Sequence, residues 1–154
     1  MKAKNTKMAY KLLIPGGGND LPFVWNVSQH VGCAKTCPNR KTDVELCQFL
    51  FRELAVNGHI GDSLTSGALR PMIQVTGTFD PTLGFWIYLE QDAPGVKSDG
   101  IISPAKGLAY GSAMWLISWL NYQYKKAFPE AYMSLDKDVR LSPALRAELS
   151  KTWP

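Results

Sequence analysis

The residues with the most direct claim to chemistry are few. The chain has two histidines and three cysteines. His30, Cys33 and Cys37 fall in one short stretch, and Cys47 follows on a helical pattern. Four such ligands suit tetrahedral zinc. The spacing is not the paired Cys-x-x-Cys of a strong zinc motif, and three free thiols are the expected state, with a single Cys33–Cys37 disulfide or zinc as the alternatives. Zinc is therefore the one cofactor to consider, and otherwise none is expected. Cleaving a glycan needs two carboxylates flanking the scissile bond. Glu53 and Asp62 are such a pair on paper, but any chain with 13 acidic residues offers some, and most are solvated surface charges. No Gly-x-Ser-x-Gly elbow and no His-Glu-x-x-His occurs. The expectation is a protein without a catalytic constellation.

Aromatic residues are the other resource. Trp86, Tyr88, Trp115, Trp119, Tyr122 and Tyr124 are dense along two helical patterns. Sugar faces stack on exposed rings, whereas a stripe at helical spacing is ordinarily core. Tyr88 and Tyr122 fall off the buried stripes and are the exposed candidates.

The element that would position these residues runs from Val75 to Gln91. Gly77 suits a turn with positive φ. Phe79 is the one large apolar residue before the helix and should point into the core. Asp80 can cap the helix, and Pro81 suits its first position. Leu83, Trp86, Ile87 and Glu90 then return at helical spacing.

An earlier helix is expected from about Asp43 to Ala55. Thr42 and Glu45 read as a capping box, and Val44, Cys47, Leu50, Phe51 and Leu54 form its apolar face. Asn57-Gly58 ends it. His59 to Met72 is a loop rich in Gly, Ser and Thr, suited to moving or to shaping a binding surface. Asp99-Gly100-Ile101-Ile102-Ser103-Pro104 repeats the turn pattern and leads to a third helix, delayed by Gly107 and Gly111. Ser112 is its candidate cap, Ala113 to Ala127 its span and Phe128-Pro129 its stop. A short last helix begins at Ser142-Pro143, with Leu145 and Leu149 inward. Before all of these, Met8 to Ile14 and Leu21 to Gln29 read as extended segments, and Val31 to Arg40 as a loop.

Asp43, Val44, Gln48 and Leu50, then Val75, Gly77, Phe79, Pro81 and Gln91, resemble the signature of the peptidoglycan-binding-like domain family. Its first helix carries Asp-Val-x-x-Leu/Val-Gln-x-x-Leu, and its second opens on Val-Asp-Gly-x-Phe-Gly-Pro and closes on Phe-Gln. Thr76, Asp80, Leu83 and Glu90 depart from that pattern. The resemblance spans Asp43 to about Ala127. It implies a mainly α fold, a small helical bundle of three core helices; the extended N-terminal arm (1–41) and the short C-terminal helix lie outside the resemblance and are read from the residues. The helical domain would occupy 42–128 and the C-terminal extension 129–154. Val44, Gln48, Leu50, Gly77, Phe79, Pro81, Gly100 and Pro104 would set this fold. The resemblance also implies a shallow ligand groove near the turn and the helix ends; Arg70, Thr76, Asp80 and Tyr88 are placed there by their position in the chain, not by the family motif. The implied function is non-catalytic binding to cell-wall peptidoglycan, for targeting or anchoring. A structural or adaptor part of a phage particle or secretion machine is the alternative, and a cell-wall hydrolase with an unrecognised site a weaker one.

Composition agrees with an ordinary folded chain. Of 154 residues, 45% are hydrophobic and 19% charged. The formal charge of +4 is not gathered into a basic face with a reading motif, which argues against nucleic acid. No apolar run is long enough to span a membrane. The N-terminus lacks a signal-peptide core, so synthesis in the cytoplasm is expected. Action at the cell wall would then follow lysis, particle assembly or unconventional export.

Overall fold

A computed structural model of the chain describes residues 8–15, 21–61, 71–92, 99–107, 109–110 and 113–153. Helices dominate. In chain order the elements are β1 (Tyr10–Leu13), β2 (Phe23–Asn26), β3 (Val31–Gly32), α1 (Lys41–Val56), α2 (Pro81–Gln91), β4 (Ile101–Ile102), β5 (Ala109–Tyr110) and β6 (Ala113–Met114). There follow α3 (Leu116–Ala127), α4 (Pro129–Met133), a 3-10 turn (Leu135–Lys137), α5 (Pro143–Leu149) and β7 (Thr152–Trp153). No described helix is long and apolar enough to cross a membrane.

α1 is the hub. Its apolar residues Val44, Leu46, Cys47, Phe49, Leu50, Phe51 and Leu54 wrap most of the helix and are all buried. Burying each such large side chain is worth about 1.5–3 kcal/mol. Buried polar groups must find partners, and those of α1 reach three different segments. Asp43 accepts from Ser28 N at 2.8 Å, from Ser28 Oγ at 2.8 Å and from Gln29 N at 3.1 Å. Burial pushes its carboxyl above the usual range. Glu45 accepts from Ser142 N at 2.8 Å and Ser142 Oγ at 2.6 Å. The Thr42 hydroxyl donates to Glu148 at 3.1 Å. Gln48 reaches the bend at Gly77. The expected Thr42/Glu45 capping box is therefore absent. The helix begins earlier, at Lys41, without a side-chain cap, because Glu45 and Thr42 are taken by residues near the far end of the chain.

The segment expected as an N-terminal arm is built into the core. Phe23, Val24, Trp25 and Asn26 of β2 are all buried. β2 pairs antiparallel with β1, and β7 adds to the other side of β1 in parallel, giving the sheet order β2-β1-β7. Trp25 Nε1 donates to the Tyr132 carbonyl at 2.7 Å, the Tyr132 hydroxyl donates to the Phe23 carbonyl, and the Phe23 and Tyr132 rings stack at 4.6 Å. The outer edge of β2 is closed by side chains. Trp25 N donates to Asn121 Oδ1 at 2.8 Å, and Asn121 Nδ2 returns a bond to the Trp25 carbonyl at 3.0 Å. The Asn26 side chain in turn ties down another segment, accepting from Ala105 N at 2.9 Å and donating to the Ala105 carbonyl at 2.8 Å.

α2 runs over the residues its sequence pattern marks. Asp80 caps it by accepting from Leu83 N at 2.8 Å, and Pro81 takes the first position. Trp86 is buried and lies beside Phe51 of α1, ring centroids 6.5 Å apart. Phe79 is half-buried against the same core. The third helix starts later than expected. The hairpin β5–β6 precedes it, and Trp115, not Ser112, stands at its N-cap; Ser112 lies outside the described residues. Phe128-Pro129 does end α3, but Pro129 also opens α4, which the sequence pattern did not mark. α5 begins as expected, with Ser142 accepting from Leu145 N at 3.2 Å. Val31-Gly32, expected as loop, pairs with β4.

Candidate functional site

Two glycine bends organise the surface. At the first, Gly77 has φ +79°, and at the second Gly100 has φ +75°. Each bend is held by one buried glutamine. Gln48 Oε1 accepts from Thr76 N at 2.9 Å and Gly77 N at 2.8 Å, while its Nε2 donates to the Thr78 carbonyl at 2.9 Å. Gln91 Oε1 accepts from Gly100 N at 2.6 Å, and its Nε2 donates to the Ile101 carbonyl at 3.1 Å. The residue before each glycine closes the bend on itself. Thr76 Oγ1 accepts from Thr78 N at 3.1 Å, and Asp99 Oδ1 accepts from Ile101 N at 3.0 Å. Thr76 thus does with a hydroxyl what Asp99 does with a carboxylate. Each glycine is also covered. A Cβ on Gly77 would meet Lys41 Cγ at 2.7 Å, and one on Gly100 would meet the Tyr88 hydroxyl at 2.9 Å.

Beside the first bend, between α1 and the start of α5, lies a cleft of about 710 Å³. Lys41, Glu45, Arg52, Thr76 and Arg140 contribute its polar wall. Arg140 is locked in place: it pairs with Asp138 at 2.7 Å and with Glu53 at 2.5 Å, and lies over the Phe49 ring at 4.9 Å. The hydrogen bond from Arg140 holds the Asp138 carboxyl below its usual range. Glu45 has both oxygens on Ser142. Among the described residues Lys41 and Arg52 have no ion-pair partner. Among the described residues the cleft therefore offers two cations without an ion-pair partner on one helix face, with the Ser142-bonded Glu45 carboxylate between them.

Of the expected ligand-binding residues, only Thr76 lines this cleft. Arg70 lies outside the described residues. The Asp80 carboxylate is engaged in capping α2. Tyr88 is 59% exposed, as its position off the stripe suggests, but it belongs to the second bend, where its hydroxyl is 4.0 Å from Cys33 Sγ. Tyr122 is half-buried and stacked on Trp119, centroids 6.2 Å apart. The sequence reading missed Lys41, Arg52 and Arg140. The signal for the first two was present: positions 41, 45, 49 and 52 follow a helical stripe that faces away from the apolar one.

The four candidate metal ligands are not assembled. Cys47 is fully buried in the core, where burial pushes its thiol well above the usual range, while Cys33 is exposed and Cys37 intermediate. His30 Nδ1 lies 3.0 Å from Ser103 Oγ. Among the described residues no group of three His, Cys, Asp or Glu is arranged to hold a metal, and the three thiols are free. Glu53 is paired with Arg140, and Asp62 lies outside the described residues.

No family model matches the chain, and no curated protein or solved structure matches it either.

Proposed function

We propose that the chain is a non-catalytic binding module of the peptidoglycan-binding-like type, its three core helices being α1, α2 and α3, that holds a cell-wall glycopeptide in the cleft along α1. The observation that supports this most is the position of that cleft. It opens beside the first glycine bend, where the resemblance puts the groove, and Thr76 of the bend forms part of its wall. Lys41 and Arg52 would pair with carboxylates of the bound glycopeptide. Action at the wall would follow release of the protein from the cytoplasm.

The test is co-sedimentation with purified sacculi. Retention should persist at ~0.5 M salt, where screening shortens bare charge attraction to a few Å. The double variant Lys41→Gln/Arg52→Gln should lose most of it. Equal retention of wild type and double variant would count against the cleft, and no retention of either against wall binding. Clearing of a sacculus suspension would turn the module into a hydrolase.

A structural or adaptor role in a phage particle or secretion machine is the second reading. It is supported by large apolar side chains left outside the core: Val56 is 63%, Met72 72% and Val139 83% exposed. Failure to sediment with sacculi, together with stable capture by a particle protein, would favour it.

A further inference from the structure

Arg52 lines two cavities. One is the charged cleft, and the other is a slot of about 150 Å³. Ala55, Val56, Pro71, Met72, Ile73 and Trp86 wall the slot. Its walls offer carbon. The indole N–H of Trp86 is already engaged with the Pro71 carbonyl at 3.0 Å. A sugar hydroxyl would find little to bond there, whereas an aliphatic side chain would be desolvated at no polar cost. From Arg52 the cleft continues to Lys41. Eleven residues of helix separate the two cations, about 16 Å along the axis. An extended peptide covers that span in about five residues. Glu53 and Asp138 are matched by Arg140, and Glu45 has both oxygens turned onto Ser142, which leaves Lys41 and Arg52 as the lining cations without an ion-pair partner among the described residues.

We infer that cleft and slot form one bipartite site for a short acidic peptide. The peptide lies extended along α1, with one carboxylate at Arg52, a second near Lys41 and an apolar side chain in the slot. This rests on the binding-module reading and specifies its ligand: the peptide part of a glycopeptide, not the glycan, makes the contact. The same chemistry exists in an acidic protein segment, so the test separates the two sources.

The probes are the heptapeptide acetyl-Leu-Glu-Ala-Ala-Ala-Ala-Glu-amide, which sets its carboxylates about five residues apart, the same residues in reverse order, both with Gln in place of Glu, and both with Gly in place of Leu. They are titrated into the isotope-labelled full chain and followed by amide shifts. One acidic order should bind, with shifts along α1 and around Met72. Its Gln counterpart should bind at least about tenfold more weakly, since charge-assisted bonds are lost. Arg52→Gln should weaken the acidic peptide about tenfold, and Met72→Ser should remove the advantage of Leu over Gly in the slot. Equal affinity for Glu and Gln peptides, an unchanged affinity in Arg52→Gln, or no binding at ~10 mM would overturn the inference. Peptides released from sacculi by amidase treatment form the second arm. Sacculus retention without binding of any peptide leaves the wall reading standing and removes this one. Binding of the synthetic acidic peptide without sacculus retention or released-peptide binding keeps this site and assigns it to a protein segment.

Discussion

Gln48 and Gly77 stand 29 positions apart, yet the glutamine oxygen accepts from the glycine amide at 2.8 Å in a buried setting. Gln91 makes the matching bond to Gly100 from only nine positions away. One carboxamide serves a bend both times, as acceptor toward the glycine N–H and donor toward the carbonyl of the next residue.

Removing either carboxamide leaves buried backbone groups without partners. Gln48→Ala should cost about 1–3 kcal/mol, because it strands the buried Gly77 amide and removes the acceptor of Thr76 N, while the Thr78 carbonyl keeps the Thr76 hydroxyl. Gln91→Ala should cost about 1–3 kcal/mol on the same ground. Urea unfolding measures both. A loss below about 0.5 kcal/mol for Gln48→Ala would mean that water replaces the side chain and that the bend stands unaided.

Three glycines separate backbone conformation from crowding. Gly107→Ala meets open space and should be near neutral. Gly58→Ala also meets open space, but at φ +75°, so it should lose only about 1 kcal/mol for the left-handed conformation. Gly77→Ala adds contact with the Lys41 side chain and, at 3.2 Å, its carbonyl, and should lose more than Gly58→Ala. Any other rank order in thermal unfolding would contradict the packing at the first bend.

Two buried tyrosines should answer differently to loss of their hydroxyls. The Tyr124 hydroxyl has no hydrogen-bond partner that meets normal geometry, and burial raises its pKa to about 12. Tyr124→Phe should leave stability unchanged or raised. The Tyr132 hydroxyl bonds the Phe23 carbonyl of β2, so Tyr132→Phe should lose about 1–2 kcal/mol. Equal losses in the two variants would refute the contrast.

Acid should read two aspartates with opposite signs. The Asp138 carboxyl sits below its usual range because Arg140 bonds it, so the fold gains from its ionisation. That gain is complete above the unfolded value near ~3.9 and disappears as pH falls through the folded value. Asp43 is raised by burial, so the fold binds its proton more tightly than the unfolded chain does, and this group alone makes stability rise as pH falls through its folded value. Between about pH 2 and 6, Asp138→Asn should flatten the acid loss and Asp43→Asn should steepen it. Parallel profiles would show that neither shift is present.

The local features were legible in the sequence. The cap and first-position proline of α2 and α5, and the positive φ at Gly77 and Gly100, follow from residue types within a few positions. What escaped depends on distant partners. Nothing near Glu45 signals that Ser142 claims both its oxygens, so the local capping pattern misled. β7 finds β1 from the opposite end of the chain, and a two-residue strand has no periodicity to read. Pro129 is a stop in one direction and a start in the other, and only the stop was read. The cleft escaped for the same reason as the sheet: α1 supplies one wall, and residues 140–142 another.

The amide of Asn121 closed over Trp25 has a bearing on solubility. A strand at the margin of a sheet ordinarily presents bare N–H and C=O groups that recruit a strand from another molecule. Here those groups of Trp25 are already bonded to a side chain on α3, and the Phe23 carbonyl takes the Tyr132 hydroxyl. The sheet cannot be lengthened on that flank by a second copy without first breaking these bonds. Asn121→Leu would open the flank, and concentrated samples of that variant should self-associate where the parent stays dispersed.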